Sequence, residues 1–141
     1  MSDIIISGYY GLGNSGDEAL LKSIVSDLKN TRPQISITAL SGNTSLTRKL
    51  YGIKTVNRFN LFSVVREMRN AKLLISGGGT LIQDATSTRS LLYYLAIIFL
   101  TKKMGLKVML YANGMGPIKD KNVKKNEFKY CGNLIIDGKE I

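Results

Sequence analysis

The spacing of hydrophobic residues changes repeatedly along the chain, from the short apolar runs of strands to the three-to-four spacing of amphipathic helices. The runs predict strands over Ile4–Ser7, Ile35–Leu40, Lys54–Asn57, Lys72–Ser76 and Lys107–Ala112. The helical spacing predicts helices over Glu18–Lys29, Ser45–Tyr51, Leu61–Arg69 and Thr88–Met104, with Gly52 and Gly105 ending the second and the fourth. Such alternation predicts an α/β fold, a Rossmann-like, doubly wound parallel sheet of about five strands.

Three of these strands run into glycine-rich loops, which begin at Gly8, Gly77 and Gly114. The carboxyl ends of parallel strands lie at one edge of a sheet, and ligands of open α/β sheets bind at that edge. The three loops are therefore predicted to line one site.

The first loop contains Gly11-Leu12-Gly13-Asn14-Ser15-Gly16, which has the G-x-G-x-x-G spacing of dinucleotide sites. Two features argue against a dinucleotide. The acid that binds the ribose is expected about 20 residues further on, but no Asp or Glu lies between Asp27 and Glu67. In addition, carboxylates at Asp17 and Glu18, in the first turn of the helix, would repel a pyrophosphate.

Two interpretations of the first loop stay open. In one, it is a tight turn whose helix is capped by Asp17. In the other, it forms a polar pocket in which Asp17 or Glu18 accepts hydrogen bonds from sugar hydroxyls. The residues predicted to line that pocket beside Asp17 are Gly11, Gly13, Asn14, Gly16 and Glu18.

The second loop continues the fourth strand with three glycines and two polar residues, Gly77, Gly78, Gly79, Gln83 and Asp84. Successive glycine amides favour the binding of an oxyanion or phosphate, and close packing of two loops is the alternative. The Gly-Lys-Ser/Thr sequence of a Walker loop does not follow.

The third loop follows the fifth strand and consists of ordinary turn residues. Its position at the same edge predicts that it completes the pocket with Asn113, Gly114 and Gly116. Tyr93 and Tyr94 are expected to pack in the core, with stacking on a sugar as the alternative.

The composition narrows the chemistry that these residues can support. The chain has 141 residues, no His and a single Cys, Cys131. Acid–base chemistry based on His and metal sites built from His or Cys are thereby excluded, and no metal is predicted. The longest apolar stretch, Leu91–Leu100, is shorter than the roughly 20 residues that span a membrane. We therefore expect a cytoplasmic location.

The formal charge of +10 is concentrated in two segments. Residues 31–60 carry 5 basic and no acidic residues, and residues 101–141 carry 9 basic and 4 acidic ones, a net +5 in each. A basic surface attracts nucleic acid, anionic lipid or a phosphorylated substrate. Nucleic acid is disfavoured, because the basic residues form no stacking platform with aromatic residues. Peripheral contact with the inner face of an anionic membrane stays open.

Together the three loops resemble the signatures of the polysaccharide pyruvyl transferases. Gly8–Ala19 is similar to the opening of that family, Ser76–Asp84 with Ser90–Leu95 to its second signature, and Tyr111–Ile118 to its third. The resemblance is nearest to the branch that pyruvylates cell-wall or S-layer-anchoring polysaccharide, and it covers residues 3–118.

This resemblance implies transfer of a pyruvyl group from phosphoenolpyruvate to two hydroxyls of a sugar, which gives a cyclic ketal and phosphate. It implies no further cofactor. The expected acceptor is a saccharide linked to a polyprenyl diphosphate at the cytoplasmic membrane face, with Asp17 as general base for one hydroxyl. The implied fold is the N-terminal domain of a two-domain, GT-B-like enzyme, with the site in the cleft between domains.

Members of that family are more than twice the length of this chain. We expect residues 1–118 to form the Rossmann-like N-terminal domain, and residues 119–141 to be a basic tail that begins the connection to a second domain. The Arg and His contacts to phosphoenolpyruvate are expected in that missing half, so the isolated chain, a truncation or one part of a split gene, is expected to be inactive. The alternatives are a non-catalytic remnant or sugar-binding module, and a sugar-nucleotide glycosyltransferase domain.

The basic segments predict selective attraction to anionic membranes. The chain should co-sediment with anionic vesicles more than with neutral ones, because each basic residue near an anionic surface contributes about 1 kcal/mol. Liposome co-sedimentation with phosphatidylglycerol-containing and phosphatidylcholine vesicles measures the difference. Equal binding to both would contradict the prediction.

Overall fold

The fold is seen in a computed structural model, which describes residues 2–77, 88–111, 134–136 and 139–140. The strands are β1 (Ile4–Tyr10), β2 (Ile37–Ser41), β3 (Lys54–Asn57), β4 (Leu73–Gly77), β5 (Lys107–Tyr111), β6 (Leu134–Ile136) and β7 (Lys139–Glu140). The helices are α1 (Ser15–Thr31), α2 (Thr44–Tyr51), α3 (Leu61–Met68) and α4 (Thr88–Lys103). Each of the nine elements predicted from the sequence is present, with ends that shift by a few residues.

The strands form one sheet in the order β3-β2-β1-β4-β5-β6-β7, in which β1 to β6 are parallel and β7 is antiparallel to β6. This order confirms the α/β class and the doubly wound parallel sheet. From β1 the chain adds β2 and β3 on one side of the sheet, and it then adds β4 and β5 on the other side. The order of strands therefore reverses between β1 and β4, which pair directly from Ile4 with Leu73 to Ser7 with Ser76. The short strands β6 and β7 lie in the segment 119–141, where no element was predicted.

Alternating side chains of the central strands bury two hydrophobic layers, one on each face of the sheet. On one face, Ile4 and Ile6 of β1 pack with Leu21 of α1. On the other face, Ile5 of β1 packs with residues of α3 and α4, such as Val64 and Ile97. Helices on both faces leave the carboxyl ends of the parallel strands as the edge where polar loops gather.

Asparagine side chains cap the first three helices, and they correct one sequence prediction. Helix α1 begins at Ser15, so its cap is Asn14, whose Oδ1 accepts hydrogen bonds from the amides of Gly16 and Asp17 at 3.1 and 3.3 Å. The prediction that Asp17 caps the helix is therefore wrong. The hydrophobic spacing starts only after the polar first turn, so it placed the helix start three residues too late.

The helix ends agree with the glycine signals. Gly52 follows α2 with a φ of 62°, and Gly105 follows α4 with a φ of 81°. Residues with a Cβ are disfavoured in this left-handed region, and glycine is the usual residue at such helix ends.

The buried carboxylate of Glu67 on α3 links several segments at the edge of the sheet opposite the glycine loops. It accepts hydrogen bonds from Ser2 Oγ at 2.6 Å, Thr38 Oγ1 at 3.1 Å and Lys54 Nζ at 2.8 and 3.0 Å. Burial raises the pKa of Glu67, but these hydrogen bonds, led by that from Lys54, outweigh burial and hold the pKa below its usual value.

Neutralising Glu67 should destabilise the fold in a pH-dependent way. Because the folded-state pKa is lowered, the stabilisation is present above the unfolded pKa of 4.5 and is lost as the pH falls through the folded pKa. We expect Glu67→Gln to cost about 1–3 kcal/mol at neutral pH and less in acid. Urea unfolding from acidic to neutral pH measures this, with the exposed Asp27→Asn as control. A loss that is equal at all pH values would contradict the assignment.

Candidate functional site

The carboxyl ends of β1 and β4 meet where the order of strands reverses, the place at which α/β sheets bind ligands. There the buried hydroxyl of Tyr10 donates a hydrogen bond to the carbonyl oxygen of Gly77. Burial is the main cause that raises the pKa of Tyr10 above its usual value, so the hydroxyl stays protonated as a donor. This hydrogen bond joins the ends of β1 and β4 that border the candidate site.

The chain itself fills the space beside three glycines at this edge of the sheet, and backbone atoms leave no room for a Cβ at Gly8 and Gly11. A Cβ on Gly8 would lie 2.4 Å from the carbonyl oxygen of Gly77, and a Cβ on Gly77 would lie 2.8 Å from Ile24 Cδ1. Gly11 has a φ of 71°, and its Cβ would lie 2.2 Å from Ser41 Oγ. At Gly11 and Gly77 the structure thus supplies a packing role, and contact of these two residues with a substrate stays a prediction.

The amides at the start of α1 are bonded within the chain. Asn14 accepts from Gly16 and Asp17 through its side chain, and from the Glu18 amide at 3.0 Å through its carbonyl. Gly13, with a φ of 81°, has open space beside it. Three amides of the first turn, which could otherwise face a pyrophosphate, thus already have acceptors, and this adds to the sequence evidence against a dinucleotide.

Glu18 has a structural role in the first loop. Its carboxylate accepts the Gly11 amide at 2.6 Å and the Tyr51 hydroxyl at 2.6 Å, so it joins the loop to α2. Burial, followed by the hydrogen bond to Glu18, raises the pKa of Tyr51 to about 12. Both carboxylate oxygens of Glu18 thus already accept hydrogen bonds within the chain.

Asp17 is the carboxylate that remains free for chemistry. It is 9% exposed, and within the described part of the chain no donor hydrogen-bonds to its oxygens. Burial, followed by the negative charge of Glu18, raises the pKa of Asp17 above its usual value. Burial is the largest effect on the pKa of Tyr10 and of Tyr94 and raises both, and the negative charge of Asp17 also acts to raise them. An acid poised in this way fits a general base or a hydrogen-bond acceptor for a hydroxyl.

Arg58, directly after β3, is a residue that sequence analysis missed. Its side chain is 4% exposed, and it donates from Nη1 to the Gly8 carbonyl at 2.9 Å and from Nη2 to the Tyr94 hydroxyl at 3.1 Å. Four rings surround the guanidinium, with centroids 4.6 to 5.6 Å from Cζ. We call this set the aromatic cage: Tyr9, Phe59, Tyr93 and Tyr94.

The aromatic cage explains the two tyrosines of α4. Tyr94 is buried, as predicted, and it contacts Tyr93 edge to face. The Tyr93 hydroxyl donates to the carbonyl oxygen of Arg58 at 2.7 Å, which fixes the backbone as well as the side chain. The sequence signal for Arg58 is its position immediately after a strand end, but no glycine-rich loop marks that strand.

The other predicted site residues lie outside the described residues: Gly78, Gly79, Gln83, Asp84, Asn113, Gly114 and Gly116. Within the described ranges, no cluster of acidic, His or Cys side chains could hold a metal ion, and no helix is long and apolar enough to cross a membrane. A pocket of about 600 Å³ lies at the opposite edge of the sheet, beside Asp3, Pro33 and Lys72. We place the site at the carboxyl edge because Asp17 and Arg58 lie there.

The comparison with protein families decides the assignment. The sequence model of the family described as polysaccharide pyruvyl transferase matches residues 14–133. The chain belongs to the polysaccharide pyruvyl transferase family. No curated protein and no solved structure matches it with significance. Membership of the pyruvyl transferase family confirms the resemblance seen in the three loops, and the matched region includes Asp17 and Arg58.

Neutralising the two adjacent carboxylates of this pyruvyl transferase family member should have opposite effects on stability. Glu18→Gln should lower the Tm, because hydrogen bonds to a charged group contribute about 1.5–3 kcal/mol. Asp17→Asn should leave the Tm at neutral pH unchanged or higher, because the raised pKa means that folding favours the neutral acid.

Thermal melts from acidic to neutral pH test this pair. Any gain from Asp17→Asn should disappear as the pH falls and Asp17 itself becomes protonated. A larger loss of Tm from Asp17→Asn than from Glu18→Gln would assign Asp17 a structural role.

Proposed function

We propose that the chain is the N-terminal half of a pyruvyl transferase, which moves the pyruvyl group of phosphoenolpyruvate onto two hydroxyls of a sugar as a cyclic ketal. Membership of the polysaccharide pyruvyl transferase family is the observation that carries this proposal. The proposed acceptor is a lipid-linked precursor of a cell-surface polysaccharide of the cell-wall type. The basic segments support a location at an anionic membrane surface, where such a precursor would be found.

The proposed reaction balances without an oxidant or a reductant. The methylene carbon of phosphoenolpyruvate takes up a proton, and two C–O bonds form between its central carbon and the sugar oxygens. The bond from that carbon to the phosphate oxygen breaks. One of the two hydroxyl protons is thereby accounted for by the new methyl group, and the other by the released phosphate.

Asp17 is proposed to accept the proton of one acceptor hydroxyl. Support comes from its burial, its raised pKa and the absence of a hydrogen-bond donor to it within the described residues. A general base is most effective when its pKa approaches the working pH, so burial works in favour of this role. Glu18, which is held by Gly11 and Tyr51, is proposed to position the loop.

A second half of the enzyme is proposed to supply the remaining groups. The reaction also needs cations around the phosphate and carboxylate, and a proton donor to carbon. The chain has no His. Among the described residues, the basic side chain that is buried is that of Arg58. We propose that the site is completed across a cleft by a second, GT-B-like domain.

The 141-residue chain alone should therefore release no phosphate from phosphoenolpyruvate. Phosphate release should appear when the chain is fused to, or mixed with, the C-terminal half of a full-length family member and given a lipid-linked acceptor. A coupled phosphate assay and mass spectrometry of the acceptor measure both. Robust turnover by the chain alone would refute the need for a second half.

The same assay separates the alternatives. Acceptor binding without phosphate release in the joined protein would indicate a sugar-binding module. Saturable binding of a sugar nucleotide, with release of its nucleotide on addition of acceptor, would indicate a glycosyltransferase domain.

In the joined enzyme, Asp17→Asn should lower turnover by about 10²-fold or more, because general-base catalysis contributes that much. The helix cap at Asn14 is retained, so the Tm should not fall. Glu18→Gln is the matched control. Unchanged turnover in Asp17→Asn would leave Asp17 without a catalytic role, and a larger loss in Glu18→Gln would assign the base to that neighbour.

A further inference from the structure

We propose that the Arg58 guanidinium is an oxyanion site, which binds a phosphate oxygen of a substrate at the carboxyl edge of the sheet. The proposal rests on the proposed function only for the choice of a phosphorylated ligand. Two sources share that chemistry, the phosphate of phosphoenolpyruvate and the diphosphate of a lipid-linked acceptor.

A buried cation without an anionic partner is the first argument. Removing a guanidinium from water is costly, and buried charges are ordinarily paired with an opposite charge. Neither of the two ion pairs between described residues, Lys54 with Glu67 and Lys72 with Asp3, includes Arg58. Among the buried side chains of the described residues, Arg58 is thus a cation whose partners are neutral oxygens and aromatic rings.

Unused hydrogen-bonding capacity is the second argument. A guanidinium has five N–H donors in a planar fork, which suits two oxygens of one phosphate or carboxylate. Two donors are occupied by the Gly8 carbonyl and the Tyr94 hydroxyl. Arg58 Nε is buried and has no hydrogen-bond partner among the described residues.

Asp17, the acid of the candidate site, forms no ion pair with Arg58 within the described residues. An adjacent guanidinium would lower the pKa of Asp17, whereas that pKa is raised by burial and by the charge of Glu18. Neither of the ion pairs formed between described residues joins Asp17 to Arg58.

The aromatic cage preorganises the guanidinium and leaves a route to it. Tyr93 and Tyr94 belong to α4 and are mostly buried, whereas Tyr9 and Phe59 are 39% and 66% exposed. The two exposed rings therefore form the solvent side of the cage, and a phosphate would reach the guanidinium by displacing them. Once bound among low-dielectric rings, its attraction to Arg58 is screened less than in water.

Titration of the folded wild-type chain tests the proposal directly. Inorganic phosphate, phosphoenolpyruvate and pyrophosphate are added separately to protein labelled with ¹³C in its tyrosine rings, and NMR signals are followed. We expect saturable shifts at Tyr9, Tyr93 and Tyr94, with little change at Tyr51 beside α1. Tighter binding of phosphoenolpyruvate would identify the donor as the source, and tighter binding of pyrophosphate the acceptor. Absence of a saturable shift with all three probes would overturn the proposal.

Substitution at Arg58 provides the second measurement. Arg58→Lys keeps the charge but loses the planar fork, so the Kd should rise at least about tenfold. The exposed Arg66→Lys is the matched control and should bind as wild type does. Equal affinity of folded Arg58→Lys and wild type would overturn the proposal, and the wild-type titration decides the matter if Arg58→Lys fails to fold. Neither measurement needs turnover, so its outcome is separate from that of the proposed function. Phosphate binding by the chain, together with no ketal formation by the joined enzyme, would reject the proposed function and leave the oxyanion site in place.

Discussion

A hydrogen bond from the buried Tyr10 hydroxyl to the Gly77 carbonyl oxygen holds the carboxyl ends of β1 and β4 together. The close approach of the two strands leaves no room for a Cβ at Gly8. The carbonyl oxygen of Gly8 in turn accepts a hydrogen bond from Arg58. Ile24 of α1 packs against Gly77, which fixes the helix that carries Asp17. One interaction at the point where the strand order reverses therefore positions both charged residues of the candidate site.

Those two charges are of opposite sign, and within the described residues they form no ion pair with each other. An ion pair between Asp17 and Arg58 would lower the pKa of the acid and occupy the guanidinium, which would remove both from chemistry. Arg58 instead donates a hydrogen bond to the Tyr94 hydroxyl at 3.1 Å. The resulting edge carries a carboxylate and a guanidinium that form no ion pair with each other within the described residues, which is compatible with the proposed reaction between a sugar and a phosphorylated donor.

The sequence predicted the fold closely because hydrophobic spacing marks the first nine elements, and glycines mark the ends of some of them, such as α2 and α4. It failed where the signal is not periodic. The polar first turn of α1 hid the true cap, Asn14, and the three-residue β6 is too short to stand out. Two of the predicted site glycines, Gly11 and Gly77, pack against the chain itself. The sequence alone does not distinguish a glycine needed for such packing from one that contacts a ligand. Arg58 was missed because its burial depends on Tyr93 and Tyr94, which are distant in sequence.

Proton balance in the proposed reaction shows why a half-site of this composition is chemically reasonable. In the proposed reaction, Asp17 would accept a hydroxyl proton, and burial favours the neutral acid that results. A guanidinium such as that of Arg58 is suited to stabilising negative charge. Under the two proposals, the described residues of the carboxyl edge would therefore supply a place for one proton and a place for negative charge. The second hydroxyl and the carboxylate of the donor still need partners, and these requirements fall to the far side of the proposed cleft.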